Sequence, residues 1–418
     1  MTSKEMGFLR KTGSFTRTRV ACYLGYVTQA ITLNLTPLLY VTLQQEFPLS
    51  LGQVGLLILV VFATQIGVDL SATRFGRWLS YRTGCVLAET FAAGGLVGFS
   101  FLPDCLPHPY VGVLLSSILL AVGAGLVEVQ VSPVVDAMPL RQKTGAMSFL
   151  HSFYCWGFVA VVLLSTLFFV TVGIHRWRLL MLLWAAVPAI TAGLFVFVPM
   201  PEKTEDRTDG GLSVRQLLSG RMMWLLMLLM VCSGAAEMVP AQWASLFAEA
   251  GLGVSKTAGD LLGPCTFALL QGISRIVFGV FSVRWDPRRM LLFCGGLSVV
   301  GYLLIMLSPW PLVSLMGFGV CGVAIGPMWP GTLSLGSARY PAGGTGMFGL
   351  LAFCGDFGCA ISPALIGAVS DHLQADGQPL LAALRAGFGV CALFPALLLV
   401  ILWLLGREGK AESSPDRK

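Results

Sequence analysis

Charge is what this chain has least of. Only 11% of its 418 residues are Asp, Glu, Lys or Arg, against about 25% in an ordinary soluble domain. So few charges cannot clothe a water-facing surface, and a soluble globular protein is excluded. Motifs that carry chemistry are missing too. There is no GxxxxGK[ST] stretch to cradle phosphates, which excludes a self-contained ATP-driven pump. No HExxH, nucleophile elbow or paired catalytic carboxylates occur, and the loops are too short for a soluble catalytic domain, so no enzyme is expected. The eleven cysteines show no CxxC or Cys/His spacing and, Cys105 apart, lie in apolar stretches. That excludes a zinc site and a disulfide framework and leaves them as small packing residues. No metal and no cofactor is expected beyond a coupling ion, H+ or Na+. The net charge of +6 is scattered over short loops rather than gathered in a patch, so nucleic acid is not an expected partner. No small-residue cleavage site follows the basic N-terminal stretch. The apolar run from Val20 is too long for the core of a signal peptide and reads as a retained span.

What the chain has instead is apolar length. It is 56% hydrophobic with a mean hydropathy of +0.79. A bilayer-crossing helix needs about 20 apolar residues. Twelve segments qualify, near 20–43, 53–73, 83–102, 111–138, 145–172, 178–199, 222–248, 258–283, 289–307, 311–336, 346–370 and 380–405. The expected fold is all-α, a multi-pass cell-membrane protein with twelve transmembrane helices in two pseudo-symmetric six-helix bundles. An even number puts both termini on one side. Of the 27 Lys and Arg, 22 then fall on that side and four on the other, with Arg275 inside a span. The positive-inside bias makes that side cytoplasmic. The longest interior polar stretch, from Pro201 to Gly211, separates six spans from six. The expected organisation is an N-terminal bundle at 1–200, a cytoplasmic linker at 201–220, a C-terminal bundle at 221–406 and a cytoplasmic tail at 407–418.

A few polar residues sit where lipid would not tolerate them, and these are the site candidates. Glu128 lies about 15 Å from the expected cytoplasmic end of its span, near mid-membrane. His151, on the next antiparallel span, lies at a similar depth, about 12 Å. Either could exchange protons in a working cycle; the alternative is an interhelical hydrogen bond with no transport role. Ser148, Ser152 and Cys155 share the His151 face. In span 7, Glu237 is followed by Pro240, Gln242 and Trp243. A proline there frees a carbonyl for a cation or a hydroxyl, and Trp243 could stack on a ring or simply anchor the helix. Span 1 carries Thr28, Thr32 and Thr36 at helical spacing beside Gln29. They line a cavity unless their hydroxyls bond back to the preceding turn. Arg275 and Asp356 read as a gating or structural ion pair. Asp69, one turn from Arg74, reads as a gate or salt bridge near the cytoplasmic face. Glycine pairs such as Gly94/Gly98 and Gly322/Gly326 permit close helix packing.

The two halves echo each other. Gly157 follows Gly145 by twelve residues and Gly358 follows Gly346 by twelve, while Gly125 precedes Pro133 by eight and Gly322 precedes Pro330 by eight. A shift of 205 sets Gly67 on Gly272 and Thr32 on Glu237. Internal symmetry of this kind marks many secondary transporters.

With its six-plus-six spans, polar central loop and inside termini, the chain resembles the major facilitator superfamily over nearly its whole length. The superfamily's loop signature between spans 2 and 3 is only partly kept. Arg82-Thr83-Gly84 fits its Arg-x-Gly core, but Tyr81 stands where an acid is expected and Arg77 where a glycine is. Gly123-x-Gly125-x-x-Glu128-x-x-x-Ser132-Pro133 is similar to the span-4 motif of the fucose/glucose–proton symporters, which normally ends Asn-Pro. That resemblance implies a part for Glu128 in sugar recognition and coupling. The span-1 aspartate that accepts protons in that family has no counterpart at Leu35-Thr36-Pro37, which leaves Glu237, His151 or sodium for the coupling. The expectation is a monomeric secondary transporter in the lipid bilayer. It would move a small polar solute, sugar-like, by ion-coupled symport and alternating access, with Glu128, Glu237, His151, Thr32, Gln29, Gln242 and Trp243 toward solute or ion. One alternative is an efflux antiporter for amphipathic compounds, using Met328, Trp329, Phe353 and Phe357. The other is a non-transporting sensor on the same scaffold.

Overall fold

The computed structural model describes residues 15–47, 49–75, 79–139, 143–201, 212, 214–281, 286–340 and 344–412. These residues form helices and short connections, with no strand among them. In hydrocarbon every backbone N–H and C=O must be satisfied within its own segment, and long apolar runs can do that only as helices. The main helices are α1 (Thr16–Asn34), α2 (Leu51–Phe75), α3 (Tyr81–Cys105), α4 (Pro109–Ala137), α5 (Lys143–Thr171) and α6 (Trp177–Phe197). They continue with α7 (Arg221–Leu246), α8 (Thr266–Phe281), α9 (Pro287–Leu307), α10 (Pro311–Ile325), α11 (Gly344–Ala375) and α12 (Leu380–Cys391). Local chemistry sets where they begin. Ser80 caps α3 by accepting from Thr83 N, and Asp286 caps α9 by accepting from Arg289 N. Proline occupies the first turn of α4, α9 and α10, where its missing N–H costs nothing.

Among the described residues eleven helical stretches are long and apolar enough to cross a membrane, with bounds close to those expected. The segment expected first, 20–43, is not one of them. Its helix ends at Asn34, gives a 3-10 turn at Thr36–Leu39, and resumes at Tyr40–Glu46. Pro37 has no N–H to continue the ladder, and the polar stripe of α1 lowers its hydropathy.

The chain divides into two compact units, Met1–Leu49 with Val60–Arg207, and Ser50–Leu59 with Thr208–Lys418. Most of the expected linker lies outside the described residues. The first turns of α2 thus group with the second unit. There the Gly52 N–H donates to the Asp371 carboxylate at 2.7 Å, and Gly55 lies against Ala364 and Gly367.

Inside each unit the paired glycines do the same work. In the first, a Cβ on Gly157 would stand 3.1 Å from Val27 Cα, so α5 lies directly on α1. In the second, a Cβ on Gly358 would collide with the carbonyl oxygen of Val231, so α11 lies directly on α7. Gly123 brings α4 onto α3 at Ala88 and Ala92, and Gly125 brings it onto α2 at Val68. One glycine expectation fails. Gly94 faces open space, and the next residue, Gly95, makes the contact with Leu120; a one-residue step turns a helix by about 100°.

Gly358→Ala therefore forces α7 and α11 apart and is expected to cost about 1–3 kcal/mol, read as a lower melting temperature of the detergent-purified protein. Gly94→Ala adds a methyl where nothing lies within 4 Å and serves as the control that melts no lower than the wild type.

Candidate functional site

In the first unit three helices bring polar groups together. Glu128 of α4 is half-buried, and its Oε2 accepts from Gln29 Nε2 of α1 at 3.1 Å. One turn before Gln29, the buried Tyr26 places its hydroxyl 2.7 Å from Ser132 Oγ, four residues beyond Glu128. The same hydroxyl is 3.5 Å from Nε2 of His151 on α5, and the two rings meet edge-on at 4.9 Å. His151 itself is exposed. Asp69 of α2 is near enough for its charge to act on Glu128. The result is a cluster with a carboxyl, an amide, a phenol, a hydroxyl and an imidazole, groups whose chemistry suits hydrogen bonds to a polar solute.

Other expected members of this group play quieter parts. Thr32 Oγ1 donates to Gln29 O at 2.8 Å, the local bond that hydroxyls in helices commonly make. Ser152 does the same toward Phe149 O, and Cys155 is buried. The side chains of Arg74 and Ser148 lie outside the described residues.

The second unit has its own polar centre. Glu237 of α7 is 6% exposed, and its Oε1 accepts from Gln271 Nε2 at 2.5 Å and from Arg275 Nη2 at 3.0 Å. Gln271 and Arg275 are four residues apart on α8 and share a face. Arg275 Nε also donates to Gly326 O at 3.2 Å. The sequence placed Glu237 with Gln242 and Trp243, and Arg275 with Asp356; the structure joins Glu237 to Arg275. Asp356 is buried on α11. Gln242 is buried, with its Nε2 3.9 Å from Met238 Sδ. Trp243 has no exposed surface, and its indole N–H finds no acceptor. A ring so enclosed packs as core and presents no face for a solute to stack on. The carbonyl freed by Pro240 is not open either. Ala236 O, which Pro240 cannot bond, accepts from the Tyr302 hydroxyl at 3.0 Å.

Two residues of the first unit escaped the sequence reading. Tyr26 shares the Gln29 face of α1, but nothing in an apolar span says that a Tyr will turn toward a hydroxyl 106 residues away. Glu89 is a lone carboxylate eight residues into α3, the same signal that singles out Glu128, and it is fully buried.

The family model described as Major Facilitator Superfamily matches residues 22–363 and 250–418. No curated protein matches the chain significantly by sequence. Solved structures are similar in fold. A D-xylose–proton symporter superposes with a TM-score of 0.75 at 13% identity, over 93% of this chain and 97% of that one. A bacterial homologue of the human lysosomal transporter Spinster gives 0.73 at 14% identity, over 94% and 97%. The Escherichia coli fucose:proton symporter gives 0.64 at 17% identity, over 94% and 99%. At such identities the likeness is one of fold.

Proposed function

The chain belongs to the Major Facilitator Superfamily and is a multi-pass membrane transporter, and from that premise we propose that it carries a small, hydroxyl-rich, sugar-like solute by ion-coupled symport across the cell membrane. The observation that carries this reading is the cluster on α1, α4 and α5, where Glu128 meets Gln29 and Tyr26 meets Ser132 and His151. A sugar offers a ring of hydroxyls that both donate and accept. A carboxylate takes their protons strongly, while an amide, a phenol and an imidazole can each give or take. The binding groups would open first to one side of the membrane and then to the other, with Glu128 gripping the solute in both states. Two of the similar folds above carry a sugar together with a proton in their names, which supports the class of cargo without fixing it.

The efflux reading rests on an aromatic and Met-rich surface. Met328 is fully buried and the Trp329 ring lies against Gly355, so two of the four residues it called on pack within the second unit. Sugar symport is the stronger reading.

Counterflow in proteoliposomes tests it. The purified protein, loaded with one unlabelled pentose, hexose or nucleoside at a time, is expected to draw in a labelled sugar of the same class. Failure of every sugar, together with export of amphipathic dyes, would overturn the reading in favour of efflux.

A further inference from the structure

The first unit holds a carboxyl group that the Glu128 cluster does not use. Glu89 on α3 has no exposed surface, and among the described residues no cation or amide holds its carboxyl group. Other buried acids are treated differently. Glu237 has Arg275 and Gln271, and Asp260 has Lys256 at 2.9 Å and Ser245 at 2.5 Å. Around Glu89 the chain is apolar or small. Its Oε1 lies 3.3 Å from where a Cβ on Gly25 would be, and Cys22, Cys85, Ala88 and Val131 fill the same core. The Thr28 hydroxyl, one turn beyond Gly25 on α1, faces it.

Among the described residues no cation answers it from a packed helix. The titratable groups that face it are Cys22 of α1 and Cys85 of α3 itself. On α4, Glu128 is engaged by Gln29. On α6, Arg178 is tied to Glu46 and Asp104, level with Ser100 of α3, about 16 Å along the helix from Glu89. At the other end of α3, Arg82 spends its guanidinium on the carbonyls of Phe195, Val196 and Val198. An ionised carboxylate sealed in such a place with no counter-charge would cost several kcal/mol. A carboxylic acid there costs far less.

We propose that Glu89 is a proton-binding site separate from the Glu128 cluster, and that the proton it carries is the coupling ion. This rests on the symport reading. The acid stays intact while α1 covers it. When α1 moves off α3 and water enters, the O–H bond breaks, the proton passes to water as hydronium, and the carboxylate left behind is hydrated; the reverse occurs on the side of uptake. The geometry supplies the link to the solute. Gly25 and Thr28 cover Glu89, while Tyr26 and Gln29 of the same two turns hold Ser132 and Glu128. A solute that pulls on one face of α1 thus works on the lid over Glu89 on the other.

Infrared difference spectroscopy of the purified full-length protein tests the site without any transported solute. At neutral pH the wild type is expected to show the C=O stretch of a protonated carboxyl that shifts in heavy water. The band persists in Glu128→Gln and disappears in Glu89→Gln. A spectrum of Glu89→Gln with the band unchanged, or a wild type with no such band, overturns the proposal. If Glu89→Gln does not fold, carboxyl-13C glutamate is introduced into the wild type and into Glu89→Asp; a band that moves with the label in the wild type but not in Glu89→Asp supports the site, and one that moves in both or in neither excludes it. In proteoliposomes, Glu89→Gln is expected to keep counterflow of whichever sugar the wild type exchanges but to lose accumulation driven by a pH gradient, levelling at equilibrium. Gradient-driven accumulation by Glu89→Gln would refute the coupling role. If the wild type exchanges no sugar at all, the cargo reading fails while the infrared result still decides Glu89.

Discussion

Arg275→Met is expected to destabilise the protein by about 3–5 kcal/mol, because it leaves a buried Glu237 carboxylate with its cation removed. The pair is largely enclosed, with 8% of the Glu237 side chain and 20% of the Arg275 side chain exposed. Gln271 would remain on the same oxygen, but an amide does not neutralise a charge. For a protein of this size the loss corresponds to a fall in melting temperature on the order of 10 °C. The informative comparison is with the double variant. With Glu237→Gln added, the carboxylate that Arg275 held is no longer charged, and replacing both members of a buried pair is often close to neutral. Glu237→Gln/Arg275→Met should therefore melt well above Arg275→Met alone. If Arg275→Met melts like the wild type, the 3.0 Å bond does not hold the second unit together. If the double variant melts no higher than the single, Arg275 acts by packing rather than by charge.

The second large effect is on transport. Glu128→Gln keeps the size of the side chain and an oxygen able to accept from Gln29, so the fold is expected to survive within about 1 kcal/mol. What it loses is a charged acceptor for solute hydroxyls. A hydrogen bond to a charged group contributes about 1.5–3 kcal/mol, so solute exchange at low concentration should fall about 10- to 100-fold. Counterflow rates at matched protein amounts, with melting curves as the check on folding, give the answer. Unchanged exchange would remove Glu128 from the solute path and leave it as a link between α1 and α4.

These predictions draw on two kinds of knowledge, and only one was legible in the sequence. Depth along a span is readable: an apolar run fixes where a helix begins and ends, and a lone carboxylate such as Glu128 or Glu237 stands out within it. Azimuth is not. A helix that is apolar nearly all round gives no period to say which face meets which neighbour. Hence the bond from Arg275 to Glu237, one helix away, was not read from the sequence. The same blindness placed Gly94 in a contact that Gly95 makes. The bond from Gln29 to Glu128 joins residues 99 apart, and the Tyr302 hydroxyl that takes the carbonyl beside Pro240 comes from 66 residues away. Pro240 could be read as freeing a carbonyl; who would claim it could not. The internal symmetry was the best guide to packing, since Gly157 and Gly358 hold corresponding helices together in their own units.

At the centre of the account stands the idea that solute reaches the α1–α4–α5 cluster and rests there. Thiol labelling at His151 tests it most directly, since His151 is exposed and Cys105 is the one exposed native cysteine. In a Cys105→Ser background, His151→Cys in proteoliposomes should react with a water-soluble maleimide, and the sugar that scores in counterflow should slow the reaction in a saturable way. Labelling that proceeds at one rate with and without that sugar, or no labelling from water at all, would contradict the account.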